Sequence, residues 1–402
     1  MLKIGIIREE KIPVDARAPL APEDAGLLNK ESDIDIVVQP SNIRAFSDDE
    51  YKSAGVNITE DLRDRDVLLG IKEVPIPSLI PNKTYFFFSH TIKKQEHNRA
   101  LLKALIDKHI RLIDYEALVN SDQIRLIAFG RFAGMVGAHN ALWTWGRRSG
   151  AFHLPAMTEF HSYHEARIAY KNLIIPPVKI VLTGAGRVAQ GAAMVLNDMG
   201  IRKISPMQYL TGKFAHPVYC QLTSFHYAVR KDGRTVEKIQ DFYDHPDAYE
   251  ADFMPFAGQS DIMINGIFWD PRAPAFFTLE DMKSKKFKIK VIADVTCDIA
   301  PASSIPSTIR ATTIEEKIYG FNPYTHQETI PHQEGVVDMM TVDNLPNELP
   351  RDSSQAFGDM LIRHVLPELR LTHSKTLLKA TVTDQGQLGP YFNYLKDFLE
   401  RN

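Results

Sequence analysis

Val178-Lys-Ile-Val-Leu-Thr-Gly-Ala-Gly-Arg-Val-Ala-Gln-Gly-Ala-Ala-Met-Val-Leu-Asn-Asp-Met-Gly200 is the stretch that decides the fold. A short apolar, β-branched run (Ile180, Val181, Leu182) meets Gly184-Ala-Gly186. From Arg187 onward, Val188, Ala192, Val195 and Leu196 recur at helical spacing, and Gly200 stands where a helix ends. The reading is strand, glycine turn, helix. In such a unit the first glycine permits the tight turn and the second lets backbone N–H groups approach a pyrophosphate at the helix N-terminus. Small residues such as Ala189 and Gly191 let the helix lie close to the sheet. A dinucleotide is expected here, held by Gly184, Gly186, Arg187, Val188, Ala189 and Gly191.

Working outward, 402 residues exceed one ordinary core, so two domains are expected. Apolar residues make up 44% and charged residues 24%, the balance of a globular enzyme. A net charge of -3 leaves no basic footprint, which argues against nucleic acid or an anionic membrane as partner. Two cysteines, Cys220 and Cys297, are too few for a disulfide framework or a zinc cluster and suit a reducing compartment; no metal site is expected. The chain opens directly on a strand-like run, without a basic region followed by an apolar signal segment. No apolar run approaches the ~20 residues of a bilayer span. A cytoplasmic protein is the expectation.

Before the glycine turn, Lys3-Ile-Gly-Ile-Ile-Arg8 and Asp35-Ile-Val-Val38 read as strands, with a helix over residues 21–28 between them. Val67-Leu-Leu-Gly-Ile-Lys-Glu-Val74 and Thr84-Tyr-Phe-Phe-Phe-Ser89 are near-continuous apolar runs, the pattern of parallel strands covered on both faces. A helix over 93–108 and strands over 111–114 and 125–128 complete a first α/β domain. Residues 132–148, with Trp143 and Trp145, form a helix that crosses into the second domain. After Gly200 a short strand over 203–205 is demoted towards the edge by Pro206. Residues 212–258 are too polar and too long for a loop and read as an insertion. Strand patterns return at 261–265 and 288–294, followed by helices over 353–365 and 391–400. The last of these must bury its apolar face, most naturally on the first domain. The fold class is therefore α/β, two Rossmann-like domains with mostly parallel sheets, the first discontinuous and completed by the C-terminal segment. Boundaries fall at 1–137 plus 342–402 and at 138–341.

Chemistry is expected where apolar strands end, because ligands of open α/β sheets bind beyond the carboxyl ends. Lys72 closes one such run, and a desolvated ammonium has its pKa lowered towards proton exchange near neutrality. His90 closes the next, at the same rim. A lone strand-end lysine would simply snorkel, and a lone histidine would hydrogen-bond; two proton carriers on one rim suggest acid–base work. Arg17 and Arg125 fall at element edges of the first domain, where guanidinium forks suit a substrate with several carboxylates. Asp15, Glu73 and Glu116 are placed to tune the lysine and histidine. Beyond the second Rossmann strand, Ser205-Pro-Met-Gln-Tyr-Leu-Thr211 carries no acid for a ribose, while Arg202, Lys203 and Lys213 flank it. That leaves both NAD and NADP open.

Five ordered motifs then resemble a known family: Asp15-Ala-Arg-Ala-Pro-Leu-Ala-Pro22, Leu69-Gly-Ile-Lys-Glu-Val-Pro75, Phe88-Ser-His90, Ala128-Phe-Gly-Arg-Phe-Ala-Gly134 and Val342-Asp-Asn-Leu-Pro-Asn-Glu-Leu-Pro350. They are similar to the lysine-forming saccharopine dehydrogenases, within the superfamily of alanine dehydrogenase and the transhydrogenase α subunit. His226-Tyr-Ala-Val-Arg-Lys231, His245-Pro246, Ile264-Asn-Gly-Ile-Phe-Trp-Asp270 and Ala356-Phe-Gly-Asp-Met-Leu361 resemble the lysine–ketoglutarate reductase half of aminoadipic semialdehyde synthases. That half uses NADPH and the stand-alone dehydrogenases NAD.

The resemblance implies two Rossmann-like domains flanking a cleft, and reversible interconversion of saccharopine and water with L-lysine and 2-oxoglutarate, using NAD or NADP. It matches Lys72 and His90 to the family's acid–base pair, Arg17 and Arg125 to positions linked to substrate carboxylates, and Glu73 and Glu116 to acids that tune the pair. Two alternatives stand beside it. An alanine dehydrogenase-like or other amino-acid dehydrogenase shares the first-domain arginine, lysine and histidine. A nucleotide-binding sensor without turnover has no need of Lys72 or His90. Oligomeric state and physiological direction stay open.

Overall fold

Runs that are apolar on both faces become central parallel strands, and the computed structural model, which describes residues 1–31, 33–234 and 238–400, builds two sheets from them. The chain divides into two compact units, Met1–Phe129 with Pro350–Asn402, and Gly130–Leu349. Residues 235–237 of the expected insertion and the last two residues of the expected C-terminal segment lie outside the described residues.

In the first unit, β1 (Leu2–Ile6), β2 (Ile34–Val38), β3 (Asn57–Ile58), β4 (Val67–Leu69), β5 (Thr84–Phe87) and β6 (Arg111–Asp114) are parallel throughout. Helix α1 (Pro22–Asn29) starts on a proline with Glu23 and Asp24 in its first turn, where an acid complements the helix dipole. Helix α2 (Arg99–Asp107) is shorter than the pattern over 93–108 suggested. Lys94 sits at a φ of 55°, so two 3-10 turns precede it instead of helix.

The expected strand at 125–128 is absent. Arg125 makes one isolated bridge to Val119, because the Asn120 carboxamide oxygen accepts from the amides of Asp122 and Ile124 and curls the chain into a turn. Its apolar residues are used all the same, Ile127 being fully buried.

The second unit begins with α3 (Gly130–Ser149), then β7 (Lys179–Thr183), α4 (Arg187–Asp198), β8 (Arg202–Lys203), β9 (Val218–Leu222), the hairpin β10 (Ala228–Arg230) and β11 (Tyr249–Ala251), β12 (Ile262–Asn265), β13 (Val291–Asp294), β14 (Ile318–Asn322), β15 (Gln327–Thr329) and β16 (Val337–Met340). The large sheet runs β15-β14-β16-β13-β12-β7-β9-β8 and is parallel from β16 to β8, with β14 and β15 antiparallel at one edge. The stretch read as an insertion from residue 212 is therefore only partly one. Its Val218-Tyr-Cys-Gln-Leu222 is the core strand beside β7, hidden from a sequence reading because it is five residues long and follows a proline.

Gly191 needs a second correction. A Cβ on it would stand 2.0 Å from the Arg131 carbonyl oxygen of α3, and one on Gly134 of α3 would stand 1.8 Å from the Val188 carbonyl of α4. The two helices thus meet backbone to backbone through reciprocal glycines. The close approach is helix to helix, not helix to sheet.

The chain then returns to the first unit through α5 (Pro350–His364), β17 (Thr381–Asp384) and β18 (Gln387–Leu388). Strand β17 adds antiparallel to β6, so that sheet runs β18-β17-β6-β5-β4-β1-β2-β3. Phe357 and Leu361 of α5, with Val365 just beyond it, join the core made by Ile6, Leu69 and Phe86. Phe392, Leu395 and Phe398 pack with Leu102 and Leu105 of α2. As expected, the C-terminal segment completes the first α/β unit. Among the described residues no helix is long and apolar enough to cross a membrane.

Candidate functional site

At the carboxyl ends of β4 and β5 the structure gathers three of the residues singled out by sequence. The expected strand over 67–74 stops at Leu69, so Lys72 and Glu73 lie in the loop that follows. His90 stands just beyond β5 at a φ of 53°, a left-handed conformation rare for a residue with a side chain. There its Nδ1 comes 2.5 Å from Glu73 Oε1, while Lys11 Nζ lies 2.5 Å from Glu73 Oε2.

Electrostatics follow the geometry. Burial lowers the Lys72 pKa, and the Arg17 guanidinium lowers it further. Burial alone would raise Glu73, yet hydrogen bonds from His90 and Lys11 bring it down to about 2. The result is an amine that holds its proton less tightly than usual, next in sequence to a firmly ionised carboxylate that anchors the His90 imidazole.

Arg17 is nearly inaccessible, 3% exposed. Its Nε and Nη2 donate to Asp15 at 2.9 and 2.5 Å, and its guanidinium lies 4.2 Å from the centroid of the Phe129 ring. Its fork already grips the protein's own carboxylate. Arg125 and Glu116 form a separate group after β6: Arg125 Nη2 donates to Glu116 Oε1 at 2.7 Å, and Lys93 Nζ lies 3.3 Å from the same oxygen. Burial opposes these cations, but Lys93 and Arg125 still lower the Glu116 pKa. Glu116 thus pairs with Lys93 and Arg125, whereas Glu73 contacts His90.

Asp114, which the sequence reading passed over, ties the two groups together. Its Oδ2 accepts from the Ser89 amide and hydroxyl at 3.1 and 2.5 Å, and its Oδ1 accepts from the Glu116 amide at 2.8 Å. Glu9 and Lys11 were missed as well. Their signal was weak, since acids and lysines in a loop are usually solvated.

In the second unit the glycine turn has the expected form. Gly184 lies at a φ of 98°, and a Cβ there would meet the Gly266 carbonyl oxygen at 2.6 Å. Its amide donates to the Leu222 carbonyl at 2.8 Å. Gly186 faces open space, with nothing within 4 Å of a built Cβ. It caps α4, whose first turn bears no acid and no side-chain cap, so amide donors there are available to an anion. These features fit the pyrophosphate of a dinucleotide.

The ribose position moves. Because β9, not β8, lies beside β7, the strand end to inspect is Thr223-Ser224-Phe225-His226, while Ser205 instead caps the short helix Pro206–Thr211. No acid stands at 223–226 either, and the choice between NAD and NADP stays open on this ground. Under the turn runs a buried chain that sequence did not reveal. Thr183 Oγ1 donates to Asn265 Oδ1, Asn265 Nδ2 donates to Asp294 Oδ1, and Thr308 Oγ1 donates to Asp294 Oδ2 at 2.6 Å. Burial pushes the Asp294 carboxyl up to about 6. The available clue was a polar residue closing each apolar run, Asn265 and Asp294. Among the described residues no group of three or more His, Cys, Asp or Glu side chains is placed to hold a metal ion.

Residues 5–136 match the family model described as alanine dehydrogenase/PNT, N-terminal domain. The bovine mitochondrial alpha-aminoadipic semialdehyde synthase is 31% identical over 452 aligned residues, which take in 99% of this chain and 48% of that protein. The chain thus spans about half the length of the synthases it matches. The lysine-forming, NAD(+)-dependent saccharopine dehydrogenase of Schizosaccharomyces pombe is 26% identical, over 90% of this chain and 91% of that one. Among solved structures an L-alanine dehydrogenase superposes with a TM-score of 0.68 at 16% identity, covering 99% of this chain and 100% of that one, a likeness of fold.

Proposed function

We propose that this chain, which belongs to the family holding the alanine dehydrogenases and the lysine-forming saccharopine dehydrogenases, is an NAD(P)-dependent oxidoreductase that interconverts saccharopine and water with L-lysine and 2-oxoglutarate. One observation carries the reading: a half-buried lysine with a lowered pKa stands next in sequence to the carboxylate that anchors His90. Oxidation of a secondary amine to an imine, followed by hydrolysis of that imine to a primary amine and an oxo acid, needs two proton carriers, and Lys72 and His90 are such a pair.

In the oxidative direction Lys72, its pKa lowered by burial, takes the proton of the substrate's secondary amine. A dinucleotide's pyrophosphate would be held by Gly184, Gly186 and the first turn of α4, Arg187 to Ala189, and its nicotinamide would supply the hydride acceptor. His90, oriented by Glu73, takes a proton from the water that adds to the resulting imine carbon. The carbon–nitrogen bond then breaks, the departing lysine nitrogen regains a proton, and 2-oxoglutarate is left. Arg125, part-exposed and paired with Glu116, presents a guanidinium to a substrate carboxylate, and Arg17 acts through Asp15 and Lys72.

The test is steady-state oxidation of NADH and of NADPH with lysine plus 2-oxoglutarate, run against ammonia plus pyruvate. The first pair is expected to be consumed and the second ignored. Preferential turnover of ammonia and pyruvate refutes the substrate. Lys72→Met is expected to abolish turnover and keep nucleotide binding, and an unchanged rate refutes the role of that lysine.

A further inference from the structure

Where a parallel strand ends, the next backbone amides lose their sheet partners, and if buried they must find others. The amides of Ile71 and Lys72, just past β4, find both oxygens of one carboxylate. Glu9 Oε1 accepts from Ile71 N–H at 2.6 Å and Oε2 accepts from Lys72 N–H at 2.9 Å. Ile71 is fully buried and Glu9 is 7% exposed. Gly70 leaves the room for this, since a Cβ there would stand 2.7 Å from Ile7 Cδ1 and 3.4 Å from Glu9 Oε1. The side chain reaches from the end of β1 to the end of β4 across 62 positions of sequence. A hydrophobe in its place would leave these two amides unpaired.

We propose that Glu9 is a positioning residue of this site, its carboxylate clamping the successive amides of Ile71 and Lys72 and so fixing the backbone from which Lys72 and Glu73, the partner of His90, project. This rests on the reading of Lys72 and His90 given above. The clamp requires a carboxylate. A glutamine of equal size offers one acceptor to two N–H donors and turns its own NH2 against the other, so one buried amide is left unsatisfied.

The groups facing Glu9 are Asp15 and Arg17 from the loop after β1, Lys72 from the loop after β4, and the buried Tyr115 hydroxyl after β6. Burial, helped by Asp15, pushes the Glu9 carboxyl up to about 8. Ionisation completes the clamp, so its closure is coupled to pH.

The experiment compares wild type, Glu9→Gln and the neighbouring Glu10→Gln, using lysine, 2-oxoglutarate and NADPH or NADH. Misplacement of a catalytic group by about 1 Å costs about 10²-fold in rate. Glu9→Gln is therefore expected to lose kcat on that scale, to change KM by less than about threefold, to leave nucleotide affinity unaltered and to displace the pH limb of kcat. Glu10→Gln is expected to match wild type. A Glu9→Gln enzyme with wild-type kcat and pH profile overturns the proposal.

Should Glu9→Gln fail to fold, hydrogen exchange of the wild-type amides decides. Protection at both Ile71 and Lys72, lost as pH falls, supports the clamp, and exchange at the rate of open loop overturns it. The two readings separate cleanly. A fully active Lys72→Met enzyme rejects the assignment of the site, whereas an inert Lys72→Met beside a fully active Glu9→Gln rejects only the clamp.

Discussion

Replacing Glu73 by glutamine removes the anion that stands between His90 and Lys11. In the folded chain this carboxyl is held at about 2 against an ordinary 4.5, and with a side chain only 12% exposed the difference is not washed out by water. At about 1.4 kcal/mol per tenfold, ionised Glu73 stabilises the fold by about 3 kcal/mol. The sign follows from the depressed pKa: the contribution is complete above 4.5 and is lost as pH falls towards 2. Near pH 4 the loss has reached about 1 kcal/mol. Calorimetric unfolding of wild type and Glu73→Gln across pH 4 to 7 reads it directly. The variant is expected to unfold at lower temperature at pH 7, with the gap closing as the pH drops. A gap that is constant with pH, or absent, would refute the picture of a carboxylate held ionised by His90 and Lys11. Turnover by the same variant should fall as well, since the imidazole loses the group that orients it.

The two glycines of the turn should respond differently. Gly184→Ala meets both a φ of 98° and the Gly266 carbonyl, so it is expected to lower the unfolding temperature, whereas Gly186→Val, facing open space, should leave unfolding unchanged and weaken nucleotide binding. A loss of about tenfold, worth one hydrogen bond to a charged group, is expected by calorimetric titration. Gly191→Ala drives a methyl into the Arg131 carbonyl and should destabilise the second unit by about 1–3 kcal/mol, read as a lowered denaturation midpoint.

Legibility in the sequence tracked how local each feature is. The glycine turn was readable because strand, turn and helix lie within one continuous stretch and each residue answers to its neighbours. Lys72 and His90 were readable for a related reason: both close apolar runs, and parallel topology brings the ends of such runs to one rim. Strand β9 was not, because five residues after a proline give no periodicity to count and only the place beside β7 makes them a strand. The missing strand at 125–128 failed the other way, three apolar residues in a row being captured by the Asn120 turn before any sheet could use them.

Side-chain partnerships across long separations were the least legible. Asp15 and Arg17 sit two residues apart, yet nothing in that spacing tells a buried closed pair from an open fork awaiting substrate; burial decides it. Glu9 is the extreme case. In sequence it is one acid in Arg-Glu-Glu-Lys, indistinguishable from Glu10 beside it. Folded, Glu10 pairs with Arg8 and Ser78 near the surface, while Glu9 turns inward to two amides that β4 abandons on ending. What separates them is the alternation of sides along an extended chain leaving β1, together with the absence of a Cβ at residue 70. An acid placed so, between the ends of two strands that neighbour each other in the sheet, holds the geometry of a site whose reacting groups are carried by other residues.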